Sequence, residues 1–413
     1  MSTLADHIPT FDVEEVRSRF PALARTHNGR EVAYLDGPGG TQSPRSVIDA
    51  MGRILTEGVS NLGGGFGSSD LAVRATADAR LAVADLLGSR PGEIVFGQNM
   101  TSLTFAVSRA IAREWSDGDA IVLTSLDHDA NYTPWVLAAA ERGVDVRTAE
   151  FDSETGRLRP DTVIDLIDED VKLVAVCQSS NALGTFVDVS PIADAARHVG
   201  AISFVDAVHT APHHPIDVTV LGCDFLVVSV YKFFGPHTGA MFGRRDTLER
   251  LEAYKLRPAP SAPPGKFETG TQSFESLAGV TAAVDHIASL GSDGATRRGS
   301  IEMAWQAISV HETQLARRFL EGVERLDRVA LYGPPGTEGR SPTFALRVEG
   351  SDSRDVAKHL VGRGIYVWSG HFYALNAMDR LGLADSSGLV RIGFCHYNTA
   401  GEVDRVLEAL SEL

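Results

Sequence analysis

An α/β fold with a mostly parallel sheet and a smaller C-terminal α+β domain is predicted by three observations. Short apolar, β-branched runs alternate with helix-period segments from Glu93 to Gly243, the pattern of strands covered on both faces by helices. Polar residues stand at the ends of several of those runs, where open parallel sheets gather ligands. The composition then changes at the proline-rich stretch Lys255 to Lys266, beyond which helical patterns precede a second set of strands.

Taken in order, Ala33 to Asp36 is expected as a short strand running into the glycine turn Gly37-Pro-Gly39-Gly40. A helix is expected from about Pro44 to Glu57. Asn61 to Ser69 carries too many glycines for regular structure and reads as a mobile loop, whereas Asp70 to Leu87 has helical periodicity. Strands are then expected at Glu93–Gly97, Ala120–Thr124, Asp145–Glu150, Leu173–Gln178, Ile202–Asp206, Phe225–Val230 and Ala240–Gly243. Helices are expected at Thr101–Arg113, Trp135–Arg142, Pro160–Ile167 and Pro191–His198. Beyond the proline-rich loop the pattern predicts helices at Ser276–Leu290 and Ile301–Leu326, the second long enough to bridge two domains. Strands follow at Thr343–Val348, Tyr366–Trp368 and Leu389–Phe394, with helices at Asp355–Arg363 and Gly401–Leu410. Residues 1–28 read as an N-terminal segment packing with the small domain, 29–290 as the large domain and 291–413 as the small one.

The length of 413 residues exceeds what one core usually serves, which supports two domains. A formal charge of −16 opposes general nucleic-acid binding, because a polyanion is repelled over most of such a surface. No stretch approaches a membrane span, and the N-terminus lacks an export signal, so neither membrane insertion nor secretion is expected. Three cysteines without metal-ligand spacing or a disulfide framework suit a reducing, cytoplasmic compartment. No metal site is expected.

Among only five lysines, Lys232 alone follows a long apolar run, Phe225 to Val230, and precedes an aromatic-Gly-Pro turn. It is either a strand-end lysine in water or one whose amine burial makes nucleophilic. Asp206 ends another strand, as a solvated turn residue or as the acid that pyridoxal phosphate needs against its ring nitrogen. The turn Phe96 to Thr101 joins a strand to a helix, so backbone N–H groups around Asn99 and Met100 and the Thr101 hydroxyl can hold an anion there. As plain helix caps, Asn99 and Thr101 need no ligand at all. Ser229 and Thr271 offer further hydroxyls. His128 is a loop histidine or a ring contact, and Asn181 a turn residue or a donor to a cofactor oxygen. Arg391 interrupts an apolar strand and needs an anionic partner, for which an amino-acid carboxylate has the matching geometry.

With Asp206-Ala-Val-His209, Ser229-Val-Tyr-Lys232, Phe267-Glu-Thr-Gly-Thr271 and Arg391 to Asn398, the chain resembles the class V aminotransferase family over nearly its whole length. These are fold type I pyridoxal-phosphate enzymes that include the cysteine desulfurases and isopenicillin epimerases. The resemblance implies pyridoxal 5'-phosphate as cofactor and a large domain built on a seven-stranded sheet. It implies Lys232 on the cofactor aldehyde, Asp206 on the pyridine nitrogen and His128 stacked on the ring. His209 and Asn181 would lie near the phenolic oxygen, and Thr101 and Ser229 would hold the phosphate. Thr271 would come from the other subunit of a homodimer, and Arg391 would hold the substrate carboxylate. Gly39 and Tyr373 are placed with the substrate. Tyr231 replaces a histidine that many desulfurases carry before the lysine.

One departure matters more. In group II cysteine desulfurases the loop equivalent to Trp368–Leu375 carries the sulfur-attacking cysteine, and Tyr373 stands there. A phenol forms no persulfide, and Cys395, Cys177 and Cys223 read as structural. The expected activity is therefore a lyase acting on cysteine or an S-substituted cysteine conjugate by α-proton abstraction and β-elimination. Enzymes of lincosamide biosynthesis in the same family process S-cysteinyl conjugates. Decarboxylating deamination, transamination and epimerisation share the cofactor and remain open, as does a non-catalytic sulfur-carrier or scaffold role.

Overall fold

The computed structural model describes residues 11–291 and 294–413. The first ten residues of the expected N-terminal segment, and 292–293 at the start of the expected small domain, lie outside these.

Seven strands form the large sheet: β1 (Ile94–Gly97), β2 (Ala120–Thr124), β3 (Asp145–Ala149), β4 (Val171–Cys177), β5 (Ile202–Asp206), β6 (Phe225–Ser229) and β7 (Gly239–Gly243). Their spatial order is β1-β7-β6-β5-β4-β2-β3. β7 is antiparallel to both its neighbours, and the remaining pairs are parallel. Alternate residues feed two different cores. Leu226 and Val228 pack in one, Phe225 and Val227 in the other, and Val174 and Val176 are divided from Leu173 and Ala175 in the same way. Burial of both faces explains why these strands read as unbroken apolar runs.

A second, antiparallel sheet of β8 (Val329–Tyr332), β9 (Thr343–Val348), β10 (Trp368–Gly370) and β11 (Leu389–Gly393) has the order β8-β9-β11-β10. Phe344, Leu346, Val390 and Ile392 form its core with Phe319, Val356, Leu360 and Val403 from three helices. The fold class is as expected. No helix among the described residues is long and apolar enough to cross a membrane.

Local differences have identifiable causes. The expected strand Tyr366–Trp368 is two strands. Ile365–Tyr366 pairs parallel with Ala33–Tyr34, while β10 pairs with β11, so Val367 lies where the chain changes sheets. Helix structure begins at Gly67 rather than Asp70, inside the segment read as a loop; extended Phe66 caps it, and Gly64 N–H donates to Ser69 Oγ at 2.7 Å. The bridging helix spans Arg297–Val323, one turn earlier than its apolar pattern suggests, because the Thr296 hydroxyl accepts from Gly299 N–H at 3.1 Å. β8 was not expected; it is a short, half-exposed edge strand without a clear alternation.

Helix Val13–Ser18 docks on the C-terminal segment through Arg17, which donates to the Tyr397 carbonyl at 2.7 Å and pairs with Glu402 at 3.2 Å. The turn after β4 reaches β9 at Gly184, whose φ of +75° and close approach to the Thr343 carbonyl leave no room for a side chain.

Candidate active site

The parallel strands β2, β4, β5 and β6 end on one side of the sheet, and a cavity of about 1020 Å³ opens there. Gly39, Asn99, Met100, Thr101, His128, Asn181, Asp206, His209, Ser229, Lys232, Tyr373 and Arg391 all line it. Thr271 does not. It lies exposed on the loop after Glu268, and that loop is anchored to β1 by Glu268, which pairs with Arg80 at 2.6 Å and accepts from Phe96 N–H at 2.8 Å.

Lys232 follows β6 in a single 3-10 turn, and its ammonium donates to the Pro38 carbonyl. Burial lowers its pKa to about 7, with Arg391 adding to the effect and Asp206 and Asp36 opposing it. Asp206 is buried at the end of β5, where Val208 N–H donates to Oδ1 at 2.8 Å. Burial raises its pKa to about 6 against the pull of that hydrogen bond and of Lys232.

His128 Nδ1 accepts from Ala130 N–H at 3.0 Å, which places the ring proton on Nε2. Burial, followed by the nearby charges of Lys232 and Arg391, lowers its pKa to about 4, so the imidazole is neutral at physiological pH. His209 Nε2 is bonded to Thr343 Oγ1 at 2.9 Å, tying this wall of the cavity to β9 of the small sheet.

At the start of helix Met100–Ile111, Asn99 Oδ1 accepts from Ser102 N–H at 2.8 Å, and Met100 N–H donates to Ser229 Oγ at 3.1 Å. The Ser229 hydroxyl hydrogen remains for an anion at the positive end of the helix, where the Thr101 hydroxyl, which donates to Met100 Sδ at 3.6 Å, also lines the cavity. Gly239 of β7 permits this assembly, since any side chain there would run into the backbone of Asn99.

Arg391 Nη1 donates to the Asn181 carbonyl at 2.9 Å, and its guanidinium lies 4.4 Å from the centre of the Phe372 ring. Its Nε is buried with no partner. A buried guanidinium in the wall of a cavity, beside a lysine, suits an anionic group such as a carboxylate. Burial lowers the Arg391 pKa to about 10, which leaves it charged at neutral pH. Asn181 Nδ2 donates to the Phe372 carbonyl at 2.9 Å, so its amide is engaged with the loop before Tyr373. Phe372 and Tyr373 both have positive φ, +55° and +56°, and Asp129 N–H donates to the Tyr373 carbonyl at 2.6 Å. Two left-handed non-glycine residues in succession are strained, and these two hydrogen bonds help hold them.

Some residues of the site had no sequence signal of their own. Asp36 is half-buried beneath the cavity near Arg391 and Lys232; burial raises its pKa to about 6, and its Oδ1 has no partner. Asp127 is fully buried behind Asp206, bonded to Thr124 and to Asn131 Nδ2, and burial pushes its pKa to about 8. It does not itself line the cavity.

The site and fold define a member of the class-V aminotransferase family. The family pattern matches residues 33–406, and the chain belongs to that family, whose members are pyridoxal-phosphate-dependent enzymes of fold type I. Within it the chain is cysteine desulfurase-like. It is 31% identical to a probable cysteine desulfurase of Mycobacterium leprae, over 96% of this chain and 95% of the relative. Identity to a cysteine desulfurase of Pectobacterium carotovorum is 29%, covering 98% of each chain. The apo structure of a cysteine desulfurase from Thermococcus onnurineus superimposes with a TM-score of 0.85 at 29% identity, covering 100% of this chain and 99% of the other.

Proposed function

We propose that this protein is a pyridoxal-phosphate-dependent carbon–sulfur lyase acting on cysteine or an S-substituted cysteine. The observation that carries the proposal is the position of Tyr373 on the cavity loop, together with the burial of every cysteine. Burial pushes the thiols of Cys177 and Cys395 well up and that of Cys223 to about 12, so none is a thiolate at neutral pH. Sulfur must then leave as a small molecule rather than pass to the protein.

The donor set fits pyridoxal phosphate. Lys232 would bond its aldehyde, Asp206 its ring nitrogen and His128 its ring face, with Thr101, Ser229 and the helix end at its phosphate. His209 and Asn181 flank the same cavity. When bound, the cofactor supplies an electron sink for the carbanion that forms when the α-proton leaves. Arg391, which lines the cavity, would hold the substrate carboxylate and thereby aim the α-hydrogen. Lys232, with a pKa near 7, is a competent base for that proton. Asp206 holds a proton at the ring nitrogen, and neutral His128 adds no charge that would compete with it. The net reaction takes R–S–CH2–CH(NH2)–COOH and water to R–SH, pyruvate and ammonia; the Cβ–S bond breaks and the thiol gains the proton. Thr271, which is exposed and does not line this chain's cavity, would serve the site of a second copy in a homodimer.

Incubating the holoenzyme with L-cysteine and S-alkyl-L-cysteines while assaying pyruvate, alanine and sulfide tests the proposal. Pyruvate in step with thiol release is expected. Alanine formed with sulfide, and no pyruvate, would overturn it.

A further inference from the structure

We infer that the cavity continues past the reacting lysine into a subsite for a planar, uncharged substituent on the substrate sulfur, walled by Trp368 and by the stacked pair Tyr231 and His237. The inference rests on the elimination reading above and adds the class of substituent to it.

A second cavity of about 550 Å³ adjoins the first and shares Gly39, Tyr231, His237 and Trp368 with it. The first is already at the upper end of what a drug-sized ligand fills. Cysteine alone has no use for the second. Trp368 is directly opposite Arg391 in the β10–β11 register, and directly opposed residues project to the same face of a sheet. A substrate whose carboxylate is on Arg391 therefore lies beside the indole.

That indole is 55% exposed, unusual for a tryptophan in a cavity wall, and it covers Gly39 so closely that a Cβ there would collide with it. The glycine is the threshold between the two cavities. On the other wall the Tyr231 and His237 rings stack with centroids 4.7 Å apart and planes within 6°. Lys232 Nζ is 4.9 Å from the Tyr231 ring centre, so this flat surface starts at the reacting amine. The second cavity is lined by no lysine or arginine, while Asp36 contributes a carboxyl group. An anionic tail finds no lysine or arginine there, whereas a flat ring meets a lining that includes the Trp368 indole and the Tyr231–His237 stack.

The test separates binding from turnover. 3-(Benzylthio)propanoate and 3-(methylthio)propanoate carry the carboxylate and sulfur but no amine, so the holoenzyme binds them without reaction. Calorimetry is expected to show the benzyl compound binding at least about tenfold tighter. Trp368→Ala and Gly39→Ala, the second by displacing the indole, should each reduce that ratio about tenfold, and Val220→Ala, at an exposed position of the helix Val218–Leu221 that lines neither cavity, should not change it. Either variant suffices if the other fails to fold. A ratio near one in the native protein, or one that neither variant changes, would overturn the subsite. Pyruvate release from S-benzyl-L-cysteine and S-methyl-L-cysteine is measured alongside. Its absence from both would sink the elimination reading, and the binding ratio would still decide the subsite.

Discussion

The Tyr373 ring lies almost parallel to the His128 imidazole, with 20° between the planes and 5.5 Å between the centroids. The histidine expected on the cofactor ring is thus itself packed against a tyrosine of the cavity-mouth loop. Tyr373 is 65% exposed at the cavity mouth. Its backbone is held by Asp129, so the loop is braced against the very turn that carries His128.

Turnover is accordingly expected to be independent of protein thiols. Cys395 is buried with its sulfur against Gly37, where a Cβ would stand 2.5 Å away, and serine fits the same space. Cys395→Ser should retain pyruvate formation within about twofold, and iodoacetamide should leave the native holoenzyme active. A loss of more than tenfold with either would show that a thiol takes part.

Lys232 should titrate as an unusually acidic amine. Borohydride trapping of pyridoxal phosphate by the apo protein needs the neutral amine, so its initial rate should rise through pH 7. A midpoint near 10 would mean that the amine is solvated. The same shift has a sign for stability. The folded-state pKa, about 7, is below the ordinary 10.5, so the unfolded chain binds more protons between those values and stability rises with pH across the window. Lys232→Met should therefore raise the Tm of the apo protein by several degrees at pH 7, with the gap closing toward pH 10.

Gly184 joins the large domain to β9 of the small sheet. At φ +75°, with the Thr343 and Ser341 carbonyls against it, alanine is strained both by its backbone and by its Cβ. The backbone part alone costs about 1–3 kcal/mol. Gly184→Ala should lower the Tm by several degrees. It should also weaken cofactor retention, because Thr343 holds His209 in the cavity wall. An unchanged Tm would show that the turn at Gly184 relaxes enough to accept the methyl group.

The strand ends were legible because a residue such as Asp206 or Lys232 after a β-branched run has a burial cost that a structural role does not explain. Arg391 stood out for the same reason inside Leu389 to Phe394. Asp127 did not, since its pKa follows from burial and from Asn131 and Thr124, which its local pattern, a loop acid beside His128, does not reveal. The antiparallel place of β7 between β1 and β6 is a long-range pairing with no local signature. Asn181 reads from its sequence as a turn residue or a donor to a cofactor oxygen, and its contact with the Phe372 carbonyl, across 191 residues of sequence, has no local signature. The meeting of Gly39 with Trp368 is equally remote in sequence and emerges only from the fold.

Arg391→Lys tests how far the guanidinium geometry matters. Arg391 uses Nη1 on the Asn181 carbonyl, rests on the Phe372 ring and has Nε unpaired. A lysine keeps one charge but has neither the fork that grips a carboxylate at two points nor the flat face that lies on phenylalanine. The amine is also a shorter reach from the strand, and burial that lowers even the arginine to about 10 would weigh more heavily on a lysine. The carboxylate contact is made before and during proton removal, so its loss should appear chiefly in KM, roughly a hundredfold, with a smaller effect on kcat. Cofactor absorbance should be unchanged, since Arg391 is assigned to substrate alone. A variant with native KM would place the substrate carboxylate elsewhere, and a variant unable to hold the cofactor would move Arg391 from the substrate to the cofactor.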